Sequence, residues 1–171
     1  MSARAVVIVP AFNEEASIGG LIDEIRRYVP ELEIVIINDG SSDRTPFVAA
    51  AKGATVLDLP CNLGVGGAIQ AGFRYAFDQG YDRVVRCDGD GQHDPVGIPL
   101  MLQTLEADPG IDLVIGSRFL SEETYSNTII RSMGIRALSW LLTVICRKRV
   151  TDPTSGFQAV NRPLLYLFSR S

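Results

Sequence analysis

The chain has 171 residues, 46% of them hydrophobic and 21% charged, with 16 Lys and Arg against 20 Asp and Glu for a net charge of -4. That length suits one domain with a real core. The composition excludes a disordered or low-complexity chain, and the charge balance gives no general case for nucleic acid as a partner. Cys61, Cys87 and Cys146 are odd in number, widely spaced and outside any C-x-x-C pattern. They suit a reducing compartment better than a disulfide framework, and each reads as a small buried hydrophobe. Met1-Ser-Ala-Arg leads straight into an apolar run, so no signal peptide is expected. No stretch reaches the roughly 18 uncharged apolar residues of a membrane span.

Strand-like and helix-like segments alternate along the chain. Ala5-Val-Val-Ile-Val-Pro10 is a continuous apolar run of the kind buried on both faces of a parallel sheet. Residues 16–28 carry Ile18, Leu21, Ile22 and Ile25 at helical spacing. Glu33-Ile-Val-Ile-Ile-Asn38 is a second strand, 44–52 an Ala-rich helix, and 54–58 a short third strand. A helix follows over 65–79, with Ile69, Phe73 and Phe77 on one stripe. Tyr81-Asp-Arg-Val-Val-Arg-Cys87 is the fourth strand. Residues 96–107 are helical with Pro99 in the first turn, and 112–117 form a fifth strand. This order predicts an α/β fold with a mostly parallel sheet and right-handed crossovers, in which ligands bind beyond the carboxyl ends of the strands.

Polar and glycine-rich loops follow those ends: Pro10-Ala-Phe-Asn-Glu-Glu15, Asn38-Asp-Gly-Ser-Ser-Asp-Arg-Thr45, Asn62-Leu-Gly-Val-Gly-Gly67 and Asp88-Gly-Asp90. Any one of them reads as turn chemistry and helix capping, since Asn13, Ser17, Ser42 and Asp43 can all cap helices. Four in succession point to a site. Asp88 stands at a strand end, and Asp90, two residues on, projects to the same side of an extended segment. A hard divalent cation between the two carboxylates would relieve their repulsion, Mg²⁺ or Mn²⁺ in preference to Zn²⁺. A solvated turn between strand and helix is the alternative. The single histidine, His93, precedes Asp-Pro and reads as a structural hydrogen-bonding group before a ligand or base. The glycines at 64, 66 and 67 make neither a G-x-G-x-x-G fingerprint nor a P-loop.

Taken in order, six motifs resemble those of family 2 glycosyltransferases with the GT-A fold, most closely the dolichol- or polyprenol-phosphate sugar synthase branch. They are P-x-x-N-E from Pro10, N-D-G-S-x-D-x-T from Asn38, N-x-G-x-x-x-A-x-x-x-G from Asn62, D-x-D-x-Q-H-D-P from Asp88, G-S-R-F from Gly116 and D-P-T-S-G-F from Asp152. The resemblance runs from about Val6 to Arg162. It implies a Rossmann-like three-layer α/β/α sandwich, residues 1–171 forming a single catalytic domain that lacks the family's C-terminal elements. It also implies metal-dependent, inverting transfer of a sugar from a nucleoside diphosphate sugar to a polyprenyl phosphate at the cytoplasmic face of a membrane. A family 2 transferase with a polysaccharide or soluble acceptor, and a non-catalytic nucleotide-sugar binding module, are the alternatives.

By the same resemblance Pro10, Ala11, Asn13, Glu14, Asp39, Asn62, Gly64, Asp88 and Gly89 hold the donor, with Glu14 and Asp39 accepting hydrogen bonds from base and ribose. Asp88, Asp90 and Gln92 hold the metal on the diphosphate. Arg118 and Arg131 bind the lipid phosphate, a task that suits guanidinium, and Asp152 lies near the acceptor, although Pro153 makes a structural turn an equal reading there. Two departures stand out. Asn38 replaces a frequent Asp, and Gly89 replaces a common Ala, which would only loosen the turn.

Residues 121–128 are polar, as lids over active sites tend to be. From Ile129 to Arg149 the chain is apolar with Trp140, five basic residues and no acid. That is either a basic amphipathic helix lying on a membrane surface or a core helix with basic ends. Residues 164–171 read as an unfinished helix.

Overall fold

A computed structural model describes residues 3–89, 94–116 and 155–170. Six strands form one sheet in the order β3-β2-β1-β4-β6-β5. β1 (Ala5–Ala11) lies at its centre, paired in parallel with β2 (Glu33–Asn38) on one side and β4 (Arg83–Arg86) on the other. β3 (Thr55–Asp58) extends the sheet in parallel beyond β2. β5 (Leu113–Ile115) occupies the far edge. Between β4 and β5 runs β6 (Gln158–Asn161), antiparallel to both.

Side-chain alternation along β1 divides the core into two layers. Val7, Val9 and Ala11 meet α1 (Ile18–Tyr28), α2 (Thr45–Ala51) and α4 (Ile98–Ala107) through Ile18, Leu21, Ile22, Ile25, Ala49, Ile98 and Met101. Val6 and Ile8 face the other way, toward α3 (Gly64–Asp78) and α5 (Arg162–Phe168), where Ala68, Phe73, Ala76 and Leu165 pack. The sheet is thus covered on both faces, as parallel strands require. Gly72 lets α3 approach closely, since a Cβ there would come within 3.1 Å of both Ile8 and Ile37.

The predicted strands and helices recur with ends moved by a few residues. β5 is shorter than expected within the described residues, and α4 begins after a 3₁₀ turn over Pro95–Gly97, capped by Asp94 through the Val96 N–H. β6 was not expected: its four residues are too short for periodicity, and its partners are distant in sequence. Cys87 is buried as expected, but Cys61 is exposed, a correction that follows from its position on the loop between β3 and α3. Cys146, the lid over 121–128 and the basic helix over 129–149 lie outside the described residues.

At the amino-terminal edge, opposite those loops, the Tyr81 hydroxyl donates to Glu33 while Thr55 Oγ1 donates to its other oxygen at 2.9 Å. Burial, then the bond to Glu33 and its charge, push the Tyr81 phenol up to about 12 from the usual 10. A phenol raised on folding contributes stability that is complete below pH 10 and is lost as pH rises toward 12. Alkaline unfolding should therefore steepen across that window in the native chain and flatten in Tyr81→Phe, as read by denaturant midpoints at stepped pH.

Candidate functional site: a cleft at the switch point of the sheet

From β1 the connections run outward to β2 and β3 on one side, and β4 lies on the other, so a crevice opens beyond the carboxyl ends of β1 and β4. In α/β sheets this reversal of strand order is where ligands settle. A cleft of about 450 Å³ lies there, lined by Pro10, Ala11 and Phe12 at the end of β1, Asp39 after β2, Asn62 and Gly64 after β3, Arg86, Asp88 and Gly89 at the end of β4, and by Glu14, Val65 and Ala68.

Each loop is braced by its own polar groups. Asp39 is nearly buried; its N–H donates to the Ala11 carbonyl at 2.9 Å, and its Oδ1 accepts from the Leu63 N–H at 2.7 Å, which ties the loop after β2 to the first turn of α3. Asn62 Oδ1 accepts from the Gly64 N–H at 2.9 Å, and the N-terminal end of α3 borders the cleft through Gly64 and Val65. Glu14 receives the Ser17 hydroxyl at 2.7 Å, and the same hydroxyl lies 3.1 Å from the Gly89 carbonyl. Ser17 thereby links the β1 and β4 loops, and it makes no side-chain cap bond to α1.

Gly89 does more than loosen a turn: a Cβ there would lie 2.9 Å from the Pro10 carbonyl oxygen, so the glycine allows β4's exit to close against β1. Asn13 holds φ 57° and spends its Oδ1 on the Ser42 N–H at 2.9 Å, which turns it into the loop network and away from the cleft lining. Asn38 is also withdrawn, donating to Asp58 at 2.6 Å and accepting from Ser41 at 3.3 Å. Partial burial opposes ionisation of Asp43, but bonds from the Thr45 hydroxyl and N–H and from the Glu15 N–H outweigh it and hold its carboxyl below the usual range.

Asp88 is seated between two groups. Its Oδ1 accepts from Arg86 at 2.9 Å, and its carboxylate rests against Gly156, where any Cβ would overlap it. Ser155 and Phe157 fasten that segment: the Ser155 hydroxyl donates to the Gly116 carbonyl at 2.6 Å, and the Gly116 N–H to the Phe157 carbonyl at 2.8 Å. The D-P-T-S-G-F motif therefore reaches Asp88 through its glycine. Arg86, Phe12 and Val65 were not singled out from the sequence, and Gly156 entered only as part of its motif. Arg86 was legible, because residues two apart at a strand end share a side; the Gly156 contact spans 68 residues of chain and leaves no local signal.

Asp90, Gln92, Arg118, Arg131 and Asp152, with His93, lie outside the described residues. Among the described residues no three His, Cys, Asp or Glu groups come together to hold a metal ion. A partly exposed carboxylate opening on the cleft is nonetheless the donor type a hard divalent cation takes, and Asp88 is the described residue that fits that role. No helix among the described residues is long and apolar enough to cross a membrane.

Removing the Asp39 carboxylate would free the Leu63 N–H and let the α3 turn move off the cleft. Asp39→Ala is expected to weaken UDP or GDP binding by about 10-fold or more, from the loss of a charge-assisted bond, with calorimetric titration as the measurement.

A three-layer sheet with its cleft at this switch point is the GT-A arrangement of nucleotide-sugar transferases. The chain belongs to glycosyl transferase family 2, which it matches over residues 6–165. It is similar to an undecaprenyl-phosphate mannosyltransferase of Micrococcus luteus, 33% identical over 91% of this chain and 65% of the relative. It also resembles a polyprenol monophosphomannose synthase of Mycolicibacterium smegmatis, 28% identical over 95% of this chain and 63% of the relative. The chain thus spans somewhat under two thirds of the length of these relatives. Among solved structures, glucosyl-3-phosphoglycerate synthase of Mycobacterium tuberculosis, in complex with Mn²⁺, UDP-glucose and phosphoglyceric acid, superposes with a TM-score of 0.72 at 27% identity, covering 95% of this chain and 58% of that one.

Proposed function

We propose that residues 1–171 form one catalytic domain that transfers a sugar from a nucleoside diphosphate sugar to a polyprenyl phosphate, by direct displacement with inversion, at the cytoplasmic face of a membrane. The observation that carries this reading is the convergence of four successive strand ends on one cleft, with Glu14, Asp39 and Asp88 all on its wall. Glu14 and Asp39 accept hydrogen bonds from base and ribose, and the first turn of α3 offers its N–H groups to phosphate oxygens. Asp88, with Asp90 and Gln92, would hold Mg²⁺ or Mn²⁺, which when bound neutralises charge developing on the leaving diphosphate. Arg118 and Arg131 grip the acceptor phosphate, and Asp152 borders it. An acceptor phosphate is anionic at neutral pH, so no strong base is required of the protein. The basic segment over 129–149 rests on the membrane surface, which calls for stronger sedimentation with anionic than with neutral vesicles and release by salt.

The likeness to a synthase solved with phosphoglyceric acid favours a second reading, in which the acceptor is a small soluble phosphate ester. Both are tested by offering labelled UDP- and GDP-sugars with either a short polyprenyl phosphate or 3-phosphoglycerate, with Mn²⁺ or with chelator, and by assigning the anomer of the product. Lipid-linked product of inverted configuration, formed only with metal, is the expected result. Product on phosphoglycerate alone selects the second reading. Nucleotide binding without turnover on either acceptor overturns the transferase reading in favour of a binding module.

A further inference from the structure

Among the described residues that line the cleft, Glu14, Asp39 and Asp88 are acidic and Arg86 alone is basic. A diphosphate entering beside three carboxylates meets repulsion that one divalent cation only partly offsets. Arg86 ends β4 with its side chain 17% exposed, and its guanidinium donates to Asp88 Oδ1 at 2.9 Å. Its Nε is buried with no hydrogen-bond partner among the described residues. The same residue borders a neighbouring groove of about 380 Å³ with Ile69, Gln70, Phe73, Gln158 and Phe168. Its bond to Asp88, which lies on the cleft wall, holds the guanidinium at the cleft side. Arginine carries five donors in a planar fork, so the bond to Asp88 leaves others for an anion. Asp88 would hold the cation that neutralises the diphosphate, and the guanidinium bonded to that same carboxylate is therefore placed to face the same anion.

We infer that Arg86 is a positioning residue of the donor site: paired with Asp88 it sets that carboxylate against Gly156, and its guanidinium is the protein's own positive charge for the donor diphosphate. The inference rests on the donor-site reading above and assigns a role that neither the D-x-D pair nor the acceptor arginines supply. Arg86 and a metal compete for Asp88 but cooperate toward the diphosphate, so removing Arg86 acts oppositely on the two ligands. A merely structural arginine would weaken both.

The test uses the full chain as wild type, Arg86→Gln and Arg86→Lys. UDP and GDP are titrated calorimetrically in Mn²⁺ and in chelator, and Mn²⁺ alone is titrated by the resonance of the free ion. The wild type is expected to keep weak nucleotide binding in chelator. Arg86→Gln should lose about 10-fold of it while binding Mn²⁺ alone at least as tightly as the wild type. Arg86→Lys should retain most of the metal-free nucleotide binding, because it keeps the charge and loses the fork. Unchanged metal-free binding in Arg86→Gln overturns the inference, as does wild-type nucleotide binding that vanishes in chelator. Parallel loss of Mn²⁺ and nucleotide with a lowered melting temperature assigns Arg86 to scaffolding and overturns it too. If the wild type binds neither nucleotide even with Mn²⁺, the donor-site reading itself falls, an outcome distinct from the others.

Discussion

Replacing Asp88 with asparagine is expected to lower sugar transfer by at least about 10²-fold, the scale seen when one preorganised group facing transition-state charge is lost. The amide keeps the shape that fits between Arg86 and Gly156 but removes the charge that a cation needs. Nucleotide affinity measured in Mn²⁺ should fall toward its value in chelator, and the two titrations should converge in the variant. The fold should survive, because Asp88 lies two residues beyond the end of β4 and its side chain is 28% exposed. An unchanged gap between the Mn²⁺ and chelator titrations would remove Asp88 from the metal site. Gly156→Ala offers an independent approach to the same carboxylate: its methyl group would overlap Asp88 and displace it without altering any charge.

The largest loss of stability is expected from Ile8→Ala. Ile8 is fully buried in the central strand, and Gly72 has brought α3 down onto it. A gap left there cannot be filled by sliding the helix closer, since α3 is held against both Ile8 and Ile37. The cost should be about 3 to 4 kcal/mol, a large share of the roughly 5 to 15 kcal/mol that keeps a domain folded. In thermal unfolding this amounts to a fall of about 10 °C for a chain of this size. Phe47→Ala, at a side chain 70% exposed on α2, should shift stability by less than about 0.5 kcal/mol. If the two variants unfold alike, the helix is not seated on β1 as described.

Periodicity alone placed β1 to β4 and α1 to α4 within a few residues of their observed ends, because burial on both faces of a parallel strand and on one stripe of a helix is written in neighbouring residues. Ile18, Leu21, Ile22 and Ile25 all proved buried, as their spacing requires. The cleft's chemistry was equally local. Pro10 and Ala11 end β1; Glu14, Asp39, Asn62, Gly64, Asp88 and Gly89 each follow a strand, and parallel strands linked by helices bring all such segments to one edge. The tertiary structure alone decided which strands are neighbours. β6 has four residues and no pattern of its own; it is a strand because it pairs antiparallel with both β4 and β5. The same long-range pairing carries Gly156 to Asp88 and sets Arg86 opposite Gln158 across β4 and β6. The left-handed backbone of Asn13 and its bond to Ser42 belong to a loop that exists only once β1 and β2 lie side by side. Hydrophobic period is a property of adjacent residues, whereas contact between segments tens of residues apart depends on how the layers close, and no local pattern encodes that.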